Sequence, residues 1–155
     1  SVSRIPPGDL SHKTEQIKPA DIMKVAAFDK KVFGADRTEL IRRLYENYPE
    51  LAWLIKENNS LVGFCLGRRG QNFTQIGPVS AASSTGVKAL VQSAMEQLAG
   101  RAVVLDVVAS KSELLGWLEG WGFISQRSFE RMYLNRNPHP GIPECQYLIS
   151  GPELG

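Results

Sequence analysis

The segment 75–123 constrains the fold most, because strand, turn, helix, strand and helix patterns follow one another there without a gap. Apolar residues recur every three or four positions after the turn at 82–86, which predicts an amphipathic helix. The run 102–109 is apolar apart from Asp106 and predicts a strand covered on both faces. Ser110 and Glu113 have capping-box spacing for the next helix, and Gly122 is placed to end it. This alternation is typical of the mixed α/β class.

The flanking segments extend this unit to the order β-α-α-β-β-β-α-β-α-β-β. Before it, the patterns predict a strand at 14–18, helices at 19–33 and 36–48, and strands at 51–56 and 61–69 joined by an Asn-Asn turn. After it, they predict strands at 127–135 and 145–150, separated by a proline-rich loop. We therefore expect one domain over residues 13–155, preceded by a flexible arm or linker at 1–12.

The bulk composition argues against several classes of protein. A formal net charge of +2 gives no electrostatic case for nucleic acid or an anionic membrane as a partner. The longest apolar runs are far shorter than the roughly 20 residues that cross a bilayer. Cys65 and Cys145 lack the spacing of a metal site or a disulfide scaffold, so we expect no metal and reduced, buried thiols. Such thiols suit a reducing, cytoplasmic location.

Several motifs, in order along the chain, resemble the GCN5-related N-acetyltransferase (GNAT) family. Leu105-Asp-Val107 is similar to the family's Leu-x-Val strand, and Trp117-Leu-Glu-Gly-Trp-Gly-Phe123 to the helix that ends in Leu-Gly-Phe. Ile17-Lys-Pro-Ala-Asp21 resembles the family's first strand and helix start. The resemblance covers residues 14–150. It implies an α/β fold with a mixed, mostly antiparallel central sheet of about seven strands, flanked by about four helices.

Four shorter motifs are similar to a subgroup whose members often carry two such domains in tandem. The motifs are Val32-Phe-Gly-Ala-Asp-Arg37, Ile76-Gly-Pro-Val79, Phe129-Glu-Arg-Met132 and Gly151-Pro-Glu-Leu-Gly155. In this resemblance the chain corresponds to the second domain. The implied partners are a second domain of the same family or another copy of the chain.

The resemblance implies acetyl-coenzyme A as the co-substrate and a primary amine, on a small molecule or a peptide, as the acceptor. In the family the pyrophosphate lies at a helix N-terminus on a Gln/Arg-x-x-Gly-x-Gly/Ala turn, where amides and the helix dipole favour an anion. Gly86 matches the first glycine here, whereas Ser83 and Lys88 replace other residues of the motif. The implied cofactor-binding residues are Val79, Ser80, Ala81, Ser83, Ser84, Thr85, Gly86, Val87 and Lys88. The alternative is that Ser83 or Ser84 only caps the helix and Lys88 is solvated.

Asp106 is the candidate general base, because some family members place a carboxylate in the Leu-x-Val position. An apolar strand would desolvate this carboxylate and favour its action as a base. The alternative is a structural acceptor bonded to a neighbouring helix or arginine. The family's usual acid, a tyrosine, is replaced by Leu118. Tyr133 is the candidate substitute, although a core or surface role would also explain it.

Two further features of the site follow from the resemblance. The backbone amides of Val79 and Ser80 would polarise the acetyl carbonyl from a splayed strand, and the neighbouring Gly77-Pro78 disfavours a regular ladder. Asp36 and Arg37 follow the first helix, where the acceptor usually enters, and are candidate substrate-binding residues. The alternative for this pair is an N-cap plus a salt bridge to a neighbouring strand.

These observations leave two readings of the function open. The first is an N-acetyltransferase, favoured by Gly86 and Asp106. The second is a degenerate domain without turnover that recognises the acceptor or supports a catalytic partner domain, favoured by Leu118 and the partly matched turn. His12 and His139 lie in predicted loops without metal-ligand spacing, so neither is expected to act as a ligand or base.

Overall fold

The computed structural model describes residues 12–130 and 137–152. Within them lies a six-stranded sheet of order β1-β2-β3-β4-β5, with β6 paired to β4. The strands are β1 (Thr14–Gln16), β2 (Trp53–Glu57), β3 (Ser60–Arg69), β4 (Thr74–Ala81), β5 (Val103–Leu105) and β6 (Gln146–Leu148). All pairs are antiparallel except β4 with β5. The mixed, mostly antiparallel sheet confirms the expected fold class, although the expected count was about seven.

The predicted strand at 127–135 accounts for this difference. Residues 127–130 are exposed and belong to no strand, and residues 131–135 lie outside the described residues. The first and last strands are also shorter than predicted, because pairing stops at Gln16 and Leu148. The predicted arm at 1–12 falls outside the described residues, apart from His12.

Four α-helices flank the sheet in the described part of the chain. They are α1 (Ile22–Phe33), α2 (Thr38–Asn47), α3 (Ser84–Glu96) and α4 (Ser112–Gly120). Short 3-10 turns at Pro19–Asp21, Pro49–Leu51 and Pro143–Cys145 lead into neighbouring elements. Gly34, with φ of 90°, ends α1 as its left-handed cap. The four helices match the number expected from the resemblance.

Each face of the sheet carries its own hydrophobic core. On one face α1 and α2 cover strand residues such as Phe64, together with Val25 and Ile41 of the helices. On the other face α3 and α4 pack through Leu90 and Leu114 against the middle strands. Fully burying one such side chain contributes about 1.5–3 kcal/mol, so the two cores fix which sheet face each helix covers.

Asn58 and Asn59 form the tight turn between β2 and β3, as the sequence predicts. Both have positive φ, 49° and 62°, which is the geometry of a two-residue hairpin turn and which asparagine adopts readily. The register Glu57↔Ser60 closes directly on this pair. The turn therefore sets the register of the hairpin to which the site-bearing β4 is added.

The capping box predicted for α4 is wrong. The helix begins at Ser112, its N-cap is Lys111, and no side chain caps it. Glu113 bonds instead to Lys88 on α3, so a contact between helices replaces the local cap. The predicted stop is confirmed, since Gly122 has φ of 85° and donates its N–H to the Glu119 carbonyl. None of the helices in the described ranges is long and apolar enough to cross a membrane.

β4 and β5 form a fork in the sheet. They pair from Thr74↔Val103 to Ile76↔Leu105 and then separate. β6 enters the gap, pairing with β4 at Val79↔Leu148 and bridging to residue 107 on the other side. The prediction of a doubly covered strand at 102–109 is wrong, because β5 is half-buried and only three residues long. The fork determines what surrounds Asp106.

Candidate functional site

The first turn of α3 has the local geometry of an anion site. Ser83 is extended, with φ of −143°, and its Oγ accepts a hydrogen bond of 3.1 Å from the Gly86 N–H. This confirms the predicted capping role of Ser83. The N–H groups of Ser84 and Thr85 begin the helix, where an α-helix provides no internal acceptor. Two amides and the positive end of the helix dipole therefore converge at this turn.

Gly86 allows the capping serine to approach the helix closely. A Cβ at this position would lie 3.1 Å from Ser83 Oγ and 3.5 Å from Ile55 Cδ1. The neighbouring candidates Ala81 and Val87 are buried in the core that α3 shares with the sheet. Their side chains therefore hold the turn against β4 and do not line its outer surface.

His12 covers this turn from outside, which the sequence did not reveal. Its Nε2 lies 2.9 Å from Thr85 Oγ1 and 3.4 Å from Ser83 Oγ. Its Nδ1 lies 3.4 Å from Glu57 Oε1. A cavity of about 10 Å³ remains beneath it, which is room for about one water molecule. No local pattern could place His12 here, because its partners lie far along the chain.

Lys88 is held by α4. Its Nζ donates to the Glu113 carboxylate, and this hydrogen bond keeps the pKa of Glu113 below its usual value. The Lys88 side chain is 24% exposed, so the ammonium keeps partial access to solvent. The alternative in which Lys88 is only solvated is wrong, because its ammonium pairs with Glu113 of α4.

Val79 and Ser80 lie in the fork and are buried. On one side they pair with Cys65 and Phe64 of β3, and on the other with β6. The irregular ladder predicted at Gly77-Pro78 is confirmed, because the β3–β4 register shifts there. A Cβ on Gly77, whose φ is 155°, would clash with the carbonyl oxygen of Ile149. The fork is therefore tightly closed around its backbone.

Asp106 is the first residue beyond β5 and is half-buried. Its Oδ2 accepts a hydrogen bond of 2.6 Å from Gln75 Nε2, and Gln75 Oε1 accepts one of 2.8 Å from Arg68 Nε. The Asp106 backbone carbonyl accepts from Ile149 N–H at 3.0 Å. The structural alternative predicted a neighbouring helix or an arginine as the partner of Asp106. In the structure Gln75 bonds to Asp106, and Arg68 bonds to Gln75.

Asp36 and Arg37 both have partners within the connection from α1 to α2. Asp36 Oδ1 accepts from Thr38 N–H at 3.0 Å, and this bond, with a contribution from Lys30, lowers the pKa of Asp36 to about 2. Arg37 donates to both oxygens of Asp29, at 3.0 and 2.6 Å. The predicted N-cap role of Asp36 is wrong, because the N-cap of α2 is Arg37 and no side chain caps the helix. The predicted salt bridge is to α1 and not to a strand.

The position of the family's usual acid is occupied by a core residue. Leu118 is 3% exposed and packs in the core beneath α3 and α4. Tyr133, the predicted substitute, lies outside the described residues. Within residues 12–130 and 137–152, no group of three or more His, Cys, Asp or Glu side chains could hold a metal ion.

The comparisons establish the family. Residues 25–148 match the family described as the acetyltransferase (GNAT) domain. The chain therefore belongs to the GNAT acetyltransferase family, as its motifs indicated. No curated protein matches the sequence.

Solved structures share the fold at low sequence identity. Naa50 of Arabidopsis thaliana, in complex with the bisubstrate analogue CoA-Ac-MVNAL, has a TM-score of 0.61 at 12% identity, covering 90% of this chain and 97% of that one. The NatC complex bound to Gag peptide and CoA has a TM-score of 0.62 at 18% identity, covering 88% of this chain and 94% of that one. Ard1 from Thermoplasma volcanium has a TM-score of 0.60 at 17% identity, covering 76% of this chain and 86% of that one. At these identities the likeness shows the shared fold.

Proposed function

We propose that this domain transfers an acetyl group from acetyl-coenzyme A to a primary amine on a small molecule or peptide. The observation that carries the proposal is a capped helix start next to a fork whose first residue is a hydrogen-bonded carboxylate. The N-terminus of α3 supplies the anion site, and Asp106 supplies a proton acceptor. Membership of the acetyltransferase family supports assigning these two features to one reaction.

The first turn of α3 would hold the pyrophosphate. The Ser84 and Thr85 amides would donate to an anion at the start of the helix. Lys88, which is paired with Glu113, would add a positive charge one turn further on. The Thr85 hydroxyl adds a donor once His12 leaves it. Binding there requires His12 to move aside, since its ring covers the turn.

Asp106 would take the proton that the acceptor ammonium must lose before it attacks. The amine nitrogen then forms a bond to the thioester carbonyl carbon, and the carbon–sulfur bond breaks. The electron pair of that bond leaves with the sulfur as a thiolate. The nitrogen then loses its second proton to solvent, and the thiolate takes a proton from solvent. A thiol pKa near 8.5 makes the thiolate a good leaving group without an acid, which is compatible with a leucine at position 118.

The second candidate is a domain that binds without turnover and serves a partner domain. The pairing of Val79 and Ser80 with β6 favours it, because those strand edges are occupied where an acetyl carbonyl would be polarised. The buried Leu118 favours it as well. The enzyme reading requires β6 to separate from β4 when the thioester binds.

A thermal-shift titration with acetyl-coenzyme A tests the binding site. A ligand that binds only the native state raises the melting temperature with concentration. Thr85→Asp places a negative charge at the exposed first turn, where it stabilises the helix by about 0.3–1 kcal/mol but repels a diphosphate. We expect this variant to be as stable as the wild type and to lose the ligand-dependent shift.

Gln97→Asp is the matched control, because it adds the same charge at the far end of α3. It should keep the shift. Absence of any shift for the wild type at millimolar ligand would contradict the proposed site. With binding established, release of coenzyme A in the presence of amines separates the two candidates, and Asp106→Asn should abolish release while preserving binding. Binding without release by the wild type would support the domain without turnover.

A further inference from the structure

We infer that Gln75 and Arg68 are positioning residues that keep the Asp106 carboxylate ionised and oriented at the fork. This inference rests on the proposed function, in which Asp106 accepts the proton of the amine. The two residues do not contact the reacting atoms. They act through Asp106, by a chain of hydrogen bonds that runs across three strands.

The three side chains form a row on one face of the sheet. Arg68 of β3 lies directly opposite Gln75 of β4 in the antiparallel register. Gln75 is beside Val104 of the parallel β5, two residues before Asp106. Ile76 and Leu105, which alternate with them, belong to the core under α3 and α4. The polar row therefore lies on the opposite face, which α1 and α2 cover further along the sheet.

The chemistry of arginine fixes the direction of every hydrogen bond in the row. A guanidinium can only donate, so the atom of Gln75 that lies 2.8 Å from Arg68 Nε must be the carbonyl oxygen. The amide NH₂ group must then face Asp106, at 2.6 Å from Oδ2. Because that NH₂ group can only donate, Oδ2 must accept, which favours the ionised form of the carboxylate.

The burial of Gln75 shows that the row is built into the sheet. Gln75 is 4% exposed, in a strand whose eight residues are all buried. A buried amide is costly unless both its ends are bonded, and here Arg68 and Asp106 bond one end each. The backbone of Asp106 is held as well, by Ile149 N–H. The carboxylate is thus fixed at the point where β4 and β5 separate.

A purely structural row would have a different effect when broken. It would lower the free energy of unfolding and leave the pH dependence of catalysis unchanged. Loss of a hydrogen bond to the ionised carboxylate instead raises the pH at which Asp106 becomes a base. Such a bond to a charged group corresponds to about one to two pH units.

The test compares the pH profiles of kcat/KM for Gln75→Leu, Gln75→Glu and Arg68→Leu with that of the wild type. We expect the acid limb of the Gln75→Leu profile to move to higher pH by about one to two units, so that the loss relative to the wild type is largest at acidic pH and disappears as the pH rises. Gln75→Glu keeps an acceptor for Arg68 but places a second carboxylate beside Asp106. The acid limb of its pH profile should therefore move to higher pH than that of Gln75→Leu. Arg69→Leu is the control, because Arg69 pairs with Glu50 outside the row.

A carboxyl ¹³C NMR titration of Asp106 in the same proteins gives a readout that needs no turnover. The titration midpoint should rise in Gln75→Leu and Gln75→Glu and stay at the wild-type value in Arg69→Leu. Equal midpoints in the wild type and Gln75→Glu would overturn the inference, whether or not the protein is active. Raised midpoints in a protein that binds acetyl-coenzyme A but transfers nothing would refute the proposed transfer and support the positioning of Asp106.

Discussion

Replacing Arg37 by methionine tests whether that residue serves the fold or the acceptor. The Arg37 side chain is 10% exposed, its guanidinium lies 3.5 Å above the Phe33 ring, and it forms two hydrogen bonds to a carboxylate of Asp29 that is itself 1% exposed. Methionine keeps most of the length and removes the charge, leaving Asp29 buried without its counterion. Removing one partner of a buried pair costs about 3–5 kcal/mol.

This loss is a large fraction of the roughly 5–15 kcal/mol that stabilises a domain. At about 2–4 °C per kcal/mol for a chain of this size, the melting temperature should fall by about 6–20 °C. Urea unfolding followed by circular dichroism measures the loss in the free energy of unfolding, and thermal unfolding measures the fall in melting temperature. Arg43→Met is the matched control, because its bridge to Glu39 is exposed to solvent and such pairs contribute little to stability.

The double variant Asp29→Leu/Arg37→Met should recover most of the loss, since replacing both partners by apolar groups is often neutral. A loss below about 1 kcal/mol for Arg37→Met would refute the structural reasoning. If the KM for the amine then rose while stability held, acceptor recognition would be supported instead.

Three further predictions concern the core, the thiols and acid stability. Leu118→Ala should reduce the free energy of unfolding by about 2–5 kcal/mol in urea, because it leaves a cavity under α4. Burial raises the pKa of the Cys65 thiol, so a thiol reagent should modify Cys145 in the native protein and Cys65 only after unfolding. The pKa of Asp36 is about 2, against 3.8 for the unperturbed group, so its stabilisation is complete above pH 3.8 and is lost as the pH falls toward 2. Asp36→Asn keeps an acceptor for Thr38 N–H but cannot be protonated, so the free energy of unfolding should depend less on pH in that range. An unchanged pH dependence would contradict the assignment.

Local signals predicted most of the element order correctly. The Asn58-Asn59 turn, the glycine that ends α1 and the serine that caps α3 each act within a few residues, so their geometry can be read from neighbouring sequence. The capping box predicted at Ser110 does not form, because the contact that replaces it is not local. A partner on another helix competes for Glu113, and no local pattern includes that partner.

Long-range pairing explains what the sequence did not predict. The apolar run at 102–109 was expected to pair along its whole length, but the fork ends β5 after Leu105 and admits β6. His12 and Arg37 find partners that tertiary packing brings to them. Gln75 did carry a signal, because an amide side chain needs polar partners when its strand is buried.

The position of β6 has a consequence for how the nascent chain matures. β4 is fully buried, yet one of its edges is paired over Val79 and Ser80 only by β6, which is synthesised well after β4. Until β6 has been synthesised and has paired with it, β4 presents an open apolar edge of the kind that recruits other chains. Closure over such a long loop is also slow. Translation speed and chaperone supply should therefore affect the yield of this domain more than a domain completed by local hairpins.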